Sequence, residues 1–402
     1  MTTTAKRTTN PIRAIVDNMK VAPNPAKPVI SLALGDPTVF GNFNIDPSCS
    51  VAITRHLLSG KANGYPPAHG SEPARAAIAR AYTTTVAPLT AGDVIIASGC
   101  SGAIDLAISA MAEPGQTILV PRPGFPLYET LASSKGINFK YYNLDPTRNW
   151  DIDLDHLEAQ IDASTAFILV NNPSNPCGSV FSPAHLKAIL ALAEKHYLPI
   201  VADEIYAGMT FPRSEHAFTP LASLPSPVPI VAVGGLAKRW LVPGWRVGWA
   251  LVHDKGQGAL TDVRTALLKL SQLIIGANSV VQAAIPEILE STPQTFFDAT
   301  NAALQRHAEV AESVLGRVPG LHVVVPQGAM YVMVGITPAM FNGIADDVQF
   351  TEKLMAEESV MTLPGACFQC PNFFRIVTCP ALDKLQEACE RIAEFCERHR
   401  KQ

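Results

Sequence analysis

Several residues in this chain sit where their chemistry is costly unless something uses it. Lys238 falls in Gly234-Gly235-Leu236-Ala237-Lys238-Arg239-Trp240, just beyond an apolar run. A lysine in so neutral a turn can lose its water shell and present a reactive amine; a plain surface lysine is the other reading. Asp203 closes Ile200-Val201-Ala202-Asp203. An acid at the end of an apolar strand needs a cation or a donor, and either a pyridinium nitrogen or a helix N-terminus would serve. Tyr206, three residues on, could reach the same ligand or simply pack. Arg246, in Pro243-Gly244-Trp245-Arg246-Val247-Gly248, and Arg375, in Asn372-Phe373-Phe374-Arg375-Ile376-Val377, are embedded in apolar sequence. An unpaired guanidinium is costly there; a phosphate, a carboxylate or an internal acid would satisfy its planar fork.

Two loops offer backbone and amide groups. Ser98-Gly99-Cys100-Ser101-Gly102-Ala103 joins a strand to a helix through small residues, which lets N–H groups close on an anion or just makes a tight turn. It matches neither the dinucleotide nor the P-loop glycine pattern. Asn172-Pro173-Ser174-Asn175-Pro176-Cys177-Gly178 has two Asn-Pro steps, which force a non-helical loop with amides at its rim; Asn175–Pro176 is expected to be cis. Phe125, in Arg122-Pro123-Gly124-Phe125, could stack on a heterocycle or fill the core.

The elements that position these residues show in the hydrophobic pattern. β-branched runs at 94–96, 117–120, 166–170, 198–202, 229–233 and 247–252 end at Gly, Pro, Asn or Asp. They read as buried strands of a largely parallel sheet with helices on both faces, including 103–111 and much of 263–316. Ligands of such sheets bind beyond the carboxyl ends of the strands, where most of the unusual residues fall. The last hundred residues read as a smaller α+β unit, with strands at 321–325, 329–334 and 374–377 and a final helix at 382–399. The Pro-rich start (Pro23, Pro25, Pro28) reads as an extended arm before 30–34. The expected division is 1–60 for the arm and first part of the small domain, 61–290 for a large ligand-binding domain, and 291–402 for the small C-terminal domain.

Composition narrows the class. The 402 residues are 48% hydrophobic and 16% charged, enough for a sizeable core. A net charge of −4 without a basic block argues against nucleic acid or an anionic membrane as partner, and no apolar stretch reaches spanning length. Eight cysteines in a long chain are expected as reduced thiols in a cytoplasmic setting, with an organellar transit segment at the Thr-rich start left open. Cys367 and Cys370 form a C-x-x-C without a second pair at metal spacing, so buried thiols and no metal are expected.

In the order Ser101, Phe125, Asn175, Asp203, Tyr206, Lys238, Arg246, Arg375, the chain resembles fold-type-I pyridoxal-phosphate (PLP) aminotransferases from about Asn10 onward. Asn10-Pro11-Ile12-Arg13, Leu34-Gly35-Asp36-Pro37 and residues 171–178 and 234–248 resemble the tyrosine aminotransferase branch in particular. The resemblance implies an α/β architecture: a large, mostly parallel-sheet domain wrapped by helices, and a smaller α+β domain. It implies that Lys238 holds PLP as a Schiff base and shuttles the substrate proton, and that Asp203 keeps the ring nitrogen protonated. Asn175 and Tyr206 match donors to the ring's phenolic oxygen, and Phe125 the ring stacked on it. Arg246, Cys100, Ser101 and Gly102 match the phosphate cup. Arg375 matches the clamp on the substrate carboxylate, with Asn175 and Gly35 beside it. Tyr65 matches a tyrosine reaching the phosphate from a neighbouring subunit, which implies a homodimer.

The implied reaction is transamination of L-tyrosine with a 2-oxo acid such as 2-oxoglutarate or pyruvate, giving 4-hydroxyphenylpyruvate. Two positions depart from the aspartate enzymes of the family: Gly235 stands for a serine, which puts one phosphate contact in doubt, and Phe125 for a tryptophan. A broad-specificity transaminase, a C–S β-lyase or an eliminase on the same fold would share Lys238, Asp203 and Arg375, and only the branch-like loops argue against them. A non-catalytic regulator on this fold would need a DNA-binding module, which no segment supplies. A nicotinamide dehydrogenase would need the missing glycine fingerprint.

Overall fold

A computed structural model describes residues 1–16, 21–255 and 258–401. The apolar runs form one eight-stranded sheet in the order Val94–Ala97, Gly248–His253, Ile230–Gly235, Ile200–Asp203, Thr165–Asn171, Thr117–Arg122, Asn138–Asp145, Asp151–Ile152. Pairing is parallel from Ile230–Gly235 through to Asn138–Asp145. The central strands are buried on both faces, which is why they read as unbroken apolar runs. Gly248–His253 runs antiparallel to both of its neighbours, and Asp151–Ile152 is antiparallel at the far edge. The parallel sense collects Asn171, Asp203 and Gly235 at one end of the sheet, and the antiparallel strand begins at that same end, two residues after Arg246.

Local signals set the flanking helices. Asp46 caps Pro47–Ser59 by accepting from the Ser48 N–H at 2.9 Å, Pro47 opens it, and Gly60 at φ 68° closes it. Ser182 caps Pro183–Lys195 in the same way. The smaller unit is a four-stranded antiparallel sheet, Leu321–Val324, Tyr331–Ile336, Phe373–Val377, Leu363–Pro364. Its last helix, Leu382–His399, buries Leu385, Cys389, Ile392 and Cys396, the stripe that a 3.6-residue period requires. Ile30–Ser31 pairs in parallel with Val360–Met361, joining the chain's start to the small unit, whereas Cys49 and Ala52 of Pro47–Ser59 pack into the core of the large sheet. Helix Gln294–Leu315 spans both, with Phe297 in one core and Leu304 in the other.

The arm before residue 30 is not simply extended. It contains helices Thr3–Arg7, capped by Thr2, and Pro11–Val16, opened by Pro11. Ile12 and Ile15 of the second pack against Ala33, Leu363, Cys367 and Phe368, so tertiary contact overrides the loop-like sequence around it. All eight cysteines are free. Among the described residues no helix is long and apolar enough to cross a membrane, and no cluster of His, Cys, Asp and Glu could hold a metal ion.

Candidate active site

A cavity of about 280 Å³ lies between the carboxyl end of the large sheet and the small sheet. Asp203 forms part of its wall and is 2% exposed. Its Oδ2 accepts from the Tyr128 hydroxyl at 2.6 Å, and its Oδ1 from the Ile205 N–H at 3.2 Å and Cys100 Sγ at 3.7 Å. All three donors are neutral. Burial pushes the carboxyl above the usual range, while the Tyr128 bond pulls it back. A cation on a ligand would complete what this carboxylate lacks.

Lys238 is half-buried in the turn after Ile230–Gly235, and its Nζ donates to the Gly35 carbonyl at 2.6 Å. Glycine at 35 leaves room for Tyr331, because a Cβ there would lie 2.2 Å from its hydroxyl and force it to shift. That hydroxyl is 2.6 Å from the hydroxyl of Tyr206. Burial raises the Tyr206 phenol well above its ordinary value.

Arg375 is 3% exposed, yet among the described residues its hydrogen-bond partners are neutral. Nη1 donates to Asn175 Oδ1 at 2.8 Å and Nη2 to the Ala33 carbonyl at 2.6 Å. The guanidinium carbon lies 4.4 Å from the Tyr331 ring centre and 4.8 Å from that of Phe368, and Nε has no partner. The group is held in place without being neutralised, which leaves its charge for a carboxylate. Across the cavity, helix Gly99–Met111 begins without a side-chain cap, near Ser101 and Arg246. Uncapped N–H groups at a helix start favour an anion.

One site thus presents an amine, a buried anion lacking a cation, a buried cation lacking an anion, and an anion cradle. Residues 27–392 match the family described as aminotransferase class I and II. The chain belongs to the class I and II aminotransferases. It is 53% identical to the tyrosine aminotransferase of Mus musculus over 395 residues, which cover 98% of this chain and 87% of the mouse protein. It is 47% identical to that of Dictyostelium discoideum over 399 residues, covering 98% and 94%. The solved structure of tyrosine aminotransferase from Leishmania infantum superposes with a TM-score of 0.95 at 36% identity, covering 100% of this chain and 98% of that one.

Aminotransferases of this class depend on pyridoxal phosphate. The side chains fit that group: Asp203 suits a protonated ring nitrogen, the uncapped helix start with Ser101 and Arg246 suits a phosphate, and Lys238 supplies the amine. Phe125, Asn175, Tyr206 and Gly35 line the same cavity, and Asn175–Pro176 is cis, as are Asn172–Pro173 and Arg122–Pro123. Gly235, where a serine was the alternative, has room for no side chain: a Cβ would meet the Val247 carbonyl at 2.8 Å and Gly248 Cα at 2.9 Å.

The structure places three of the expected residues as follows. Arg246 is exposed, not embedded; its backbone turns left-handed at φ 53°, and Nη1 rests on the Pro243 carbonyl at 3.0 Å. Gly102 does not line the cavity and faces Ala97 and Ser98 instead. Tyr65 is 91% exposed and outside the cavity of its own chain. Cys100 acts through its thiol on Asp203 as well as through the helix start. The sequence reading missed Tyr128 and Tyr331. Tyr128 lies one helical turn beyond Phe125, which was the one available signal; Tyr331 gave none beyond lying in an expected strand.

Tyr128→Phe removes a donor to the charged form of Asp203, so the carboxyl rises further and the acid limb of the pH–activity profile moves to higher pH. The expected shift is about one pH unit, with a few-fold loss of kcat at neutral pH. An unmoved acid limb in the variant contradicts this role.

Proposed function

We propose that this aminotransferase moves the amino group of L-tyrosine to a 2-oxo acid such as 2-oxoglutarate or pyruvate, leaving 4-hydroxyphenylpyruvate. The observation that carries the reading is the pairing of Arg375 and Asp203, a buried cation and a buried anion with only neutral partners, around the cavity that holds Lys238. The names of the similar proteins support tyrosine as donor, and so does the apolar lining from Ile12, Leu34 and Leu363, which suits an aromatic side chain.

Bound pyridoxal phosphate supplies an electron-poor ring that acidifies the amino acid's Cα–H. Arg375 grips the α-carboxylate in both halves of the reaction, because donor and acceptor carry the same group. Asn175 and the Ala33 carbonyl fix its fork, so little orientation is left to chance. With the coenzyme bound, Lys238 Nζ, released from Gly35, would take the proton from Cα and hold it for return on the far side of the amino nitrogen. Asp203 would hold a proton on the ring nitrogen, and Tyr206 and the Asn175 amide would donate to the ring oxygen.

Mixing stoichiometric enzyme with L-tyrosine, L-aspartate and L-alanine in turn tests the assignment. The coenzyme absorbance should be lost fastest with tyrosine, with equimolar 4-hydroxyphenylpyruvate formed. Ammonia release without an acceptor would instead mark an eliminase.

We also assign the working form as a homodimer in which Tyr65 serves the partner's site, and place it in the cytoplasm. The Tyr65 loop abuts the turn at Gly276, and the neighbouring Leu273 and Ile274 are 76% and 74% exposed, an apolar patch suited to a second copy. Seven of the eight unpaired cysteines are buried, in keeping with a reducing compartment. Tyr65→Ala should lower coenzyme affinity about tenfold. Hybrids of Tyr65→Ala and Lys238→Ala subunits should regain wild-type affinity at one site in two. A monomer in solution, or no recovery, contradicts the shared site.

A further inference from the structure

Tyr331 stands where three parts of the chain meet. It opens the strand Tyr331–Ile336, which pairs in register with Phe373–Val377 and so lies beside Arg375 in the small sheet. Its ring lies under the Arg375 guanidinium at 4.4 Å. Its hydroxyl is 2.6 Å from that of Tyr206, which belongs to the large domain, and fills the space that a Cβ at Gly35 would need. It is 2% exposed, so neither face of the ring nor the hydroxyl is spent on solvent.

We propose that Tyr331 is a positioning residue that couples the carboxylate clamp to Tyr206. The proposal rests on the transaminase reading above. A phenol has one proton to give. If Tyr206 donates to the coenzyme's ring oxygen, its own oxygen must accept, and the Tyr331 hydroxyl is the donor at hand. Such a donor makes Tyr206 a stronger donor in turn. The face of the same ring holds Arg375 without neutralising it, as a carboxylate would not. One side chain therefore sets the strength of a hydrogen bond at the coenzyme and the posture of the group that binds substrate.

The two duties separate by substitution. Tyr331→Phe keeps the ring under Arg375 and loses only the hydroxyl. In the holoenzyme it should raise the midpoint of the coenzyme's absorbance–pH titration by about 0.5 to 1 unit while leaving KM for tyrosine within about twofold. Tyr206→Phe should raise the midpoint further, and the double variant should match Tyr206→Phe alone, because the hydroxyl of Tyr331 acts only through Tyr206. Tyr331→Leu should raise KM for both tyrosine and 2-oxoglutarate by about three- to tenfold, since both present a carboxylate to Arg375. Gly35→Ala, which crowds the same hydroxyl, gives a second route and should shift the midpoint in the direction Tyr331→Phe does.

An unmoved midpoint in Tyr331→Phe, or additive shifts in the double variant, overturns the coupling. Absence of any coenzyme absorbance in the wild-type enzyme would instead defeat the transaminase reading itself, so the two failures are distinct.

Discussion

Replacing Lys238 by alanine should lower kcat at least about 10⁴-fold, with the fold intact. Among the described residues the Nζ has one hydrogen-bond partner, the Gly35 carbonyl, and the side chain is half-buried at the mouth of a turn. Losing it opens space beside the cavity without stripping a buried partner, so far-UV circular dichroism and thermal stability should stay near wild type. Among the described residues no other lysine lines the cavity. Of the other titratable groups described there, Asp203 is engaged by three donors and burial holds Tyr206 well above its ordinary pKa, so neither is suited to take a proton from Cα. Steady-state and single-turnover rates measure the effect. A variant within tenfold of wild type would mean that another group moves the proton.

Arg375→Leu should reduce kcat/KM by about 10² to 10³-fold for tyrosine and by a similar factor for the 2-oxo acid. The equality is the informative part. Arg375 is the basic group on the small-sheet side of the cavity, and it is fixed by Asn175 and the Ala33 carbonyl between the rings of Tyr331 and Phe368. A guanidinium so held can offer a carboxylate two parallel hydrogen bonds. Arg375→Lys keeps the charge and loses the fork, so it should recover little. Both variants should retain the colour of bound coenzyme, whose proposed contacts are elsewhere. A loss confined to one substrate would show that the two carboxylates bind at different places.

How much of this was readable without coordinates depends on where the information lay. The strands Thr165–Asn171, Ile200–Asp203 and Ile230–Gly235 were legible because burial on both faces leaves unbroken apolar runs. Asn138–Asp145 was not: near the sheet edge it is only partly buried, and its sequence is largely polar. The antiparallel sense of Gly248–His253 has no signature in composition, since it depends on how the chain returns. Helix Pro47–Ser59 carries a good cap in Asp46 but little periodic apolar character, because only Cys49 and Ala52 are buried.

At the site, Lys238, Asp203 and Arg375 announced themselves because a charged residue in apolar sequence demands a reason. Tyr128 and Tyr331 did not, since a tyrosine in a core needs none. Their meaning lies in hydrogen bonds to residues 75 and 125 positions away. Arg246 lies in apolar sequence yet is exposed, because at a left-handed turn it lines the open cavity instead of packing with buried Val247.

The attachment of the coenzyme can be read without any turnover. Treating the holoenzyme with borohydride and mapping its peptides by mass spectrometry should place a phosphopyridoxyl mass on the peptide that contains Lys238 and on no other. The same mass on a different lysine, or on none, would mean that the amine beside Asp203 and Gly35 is not where the chemistry happens.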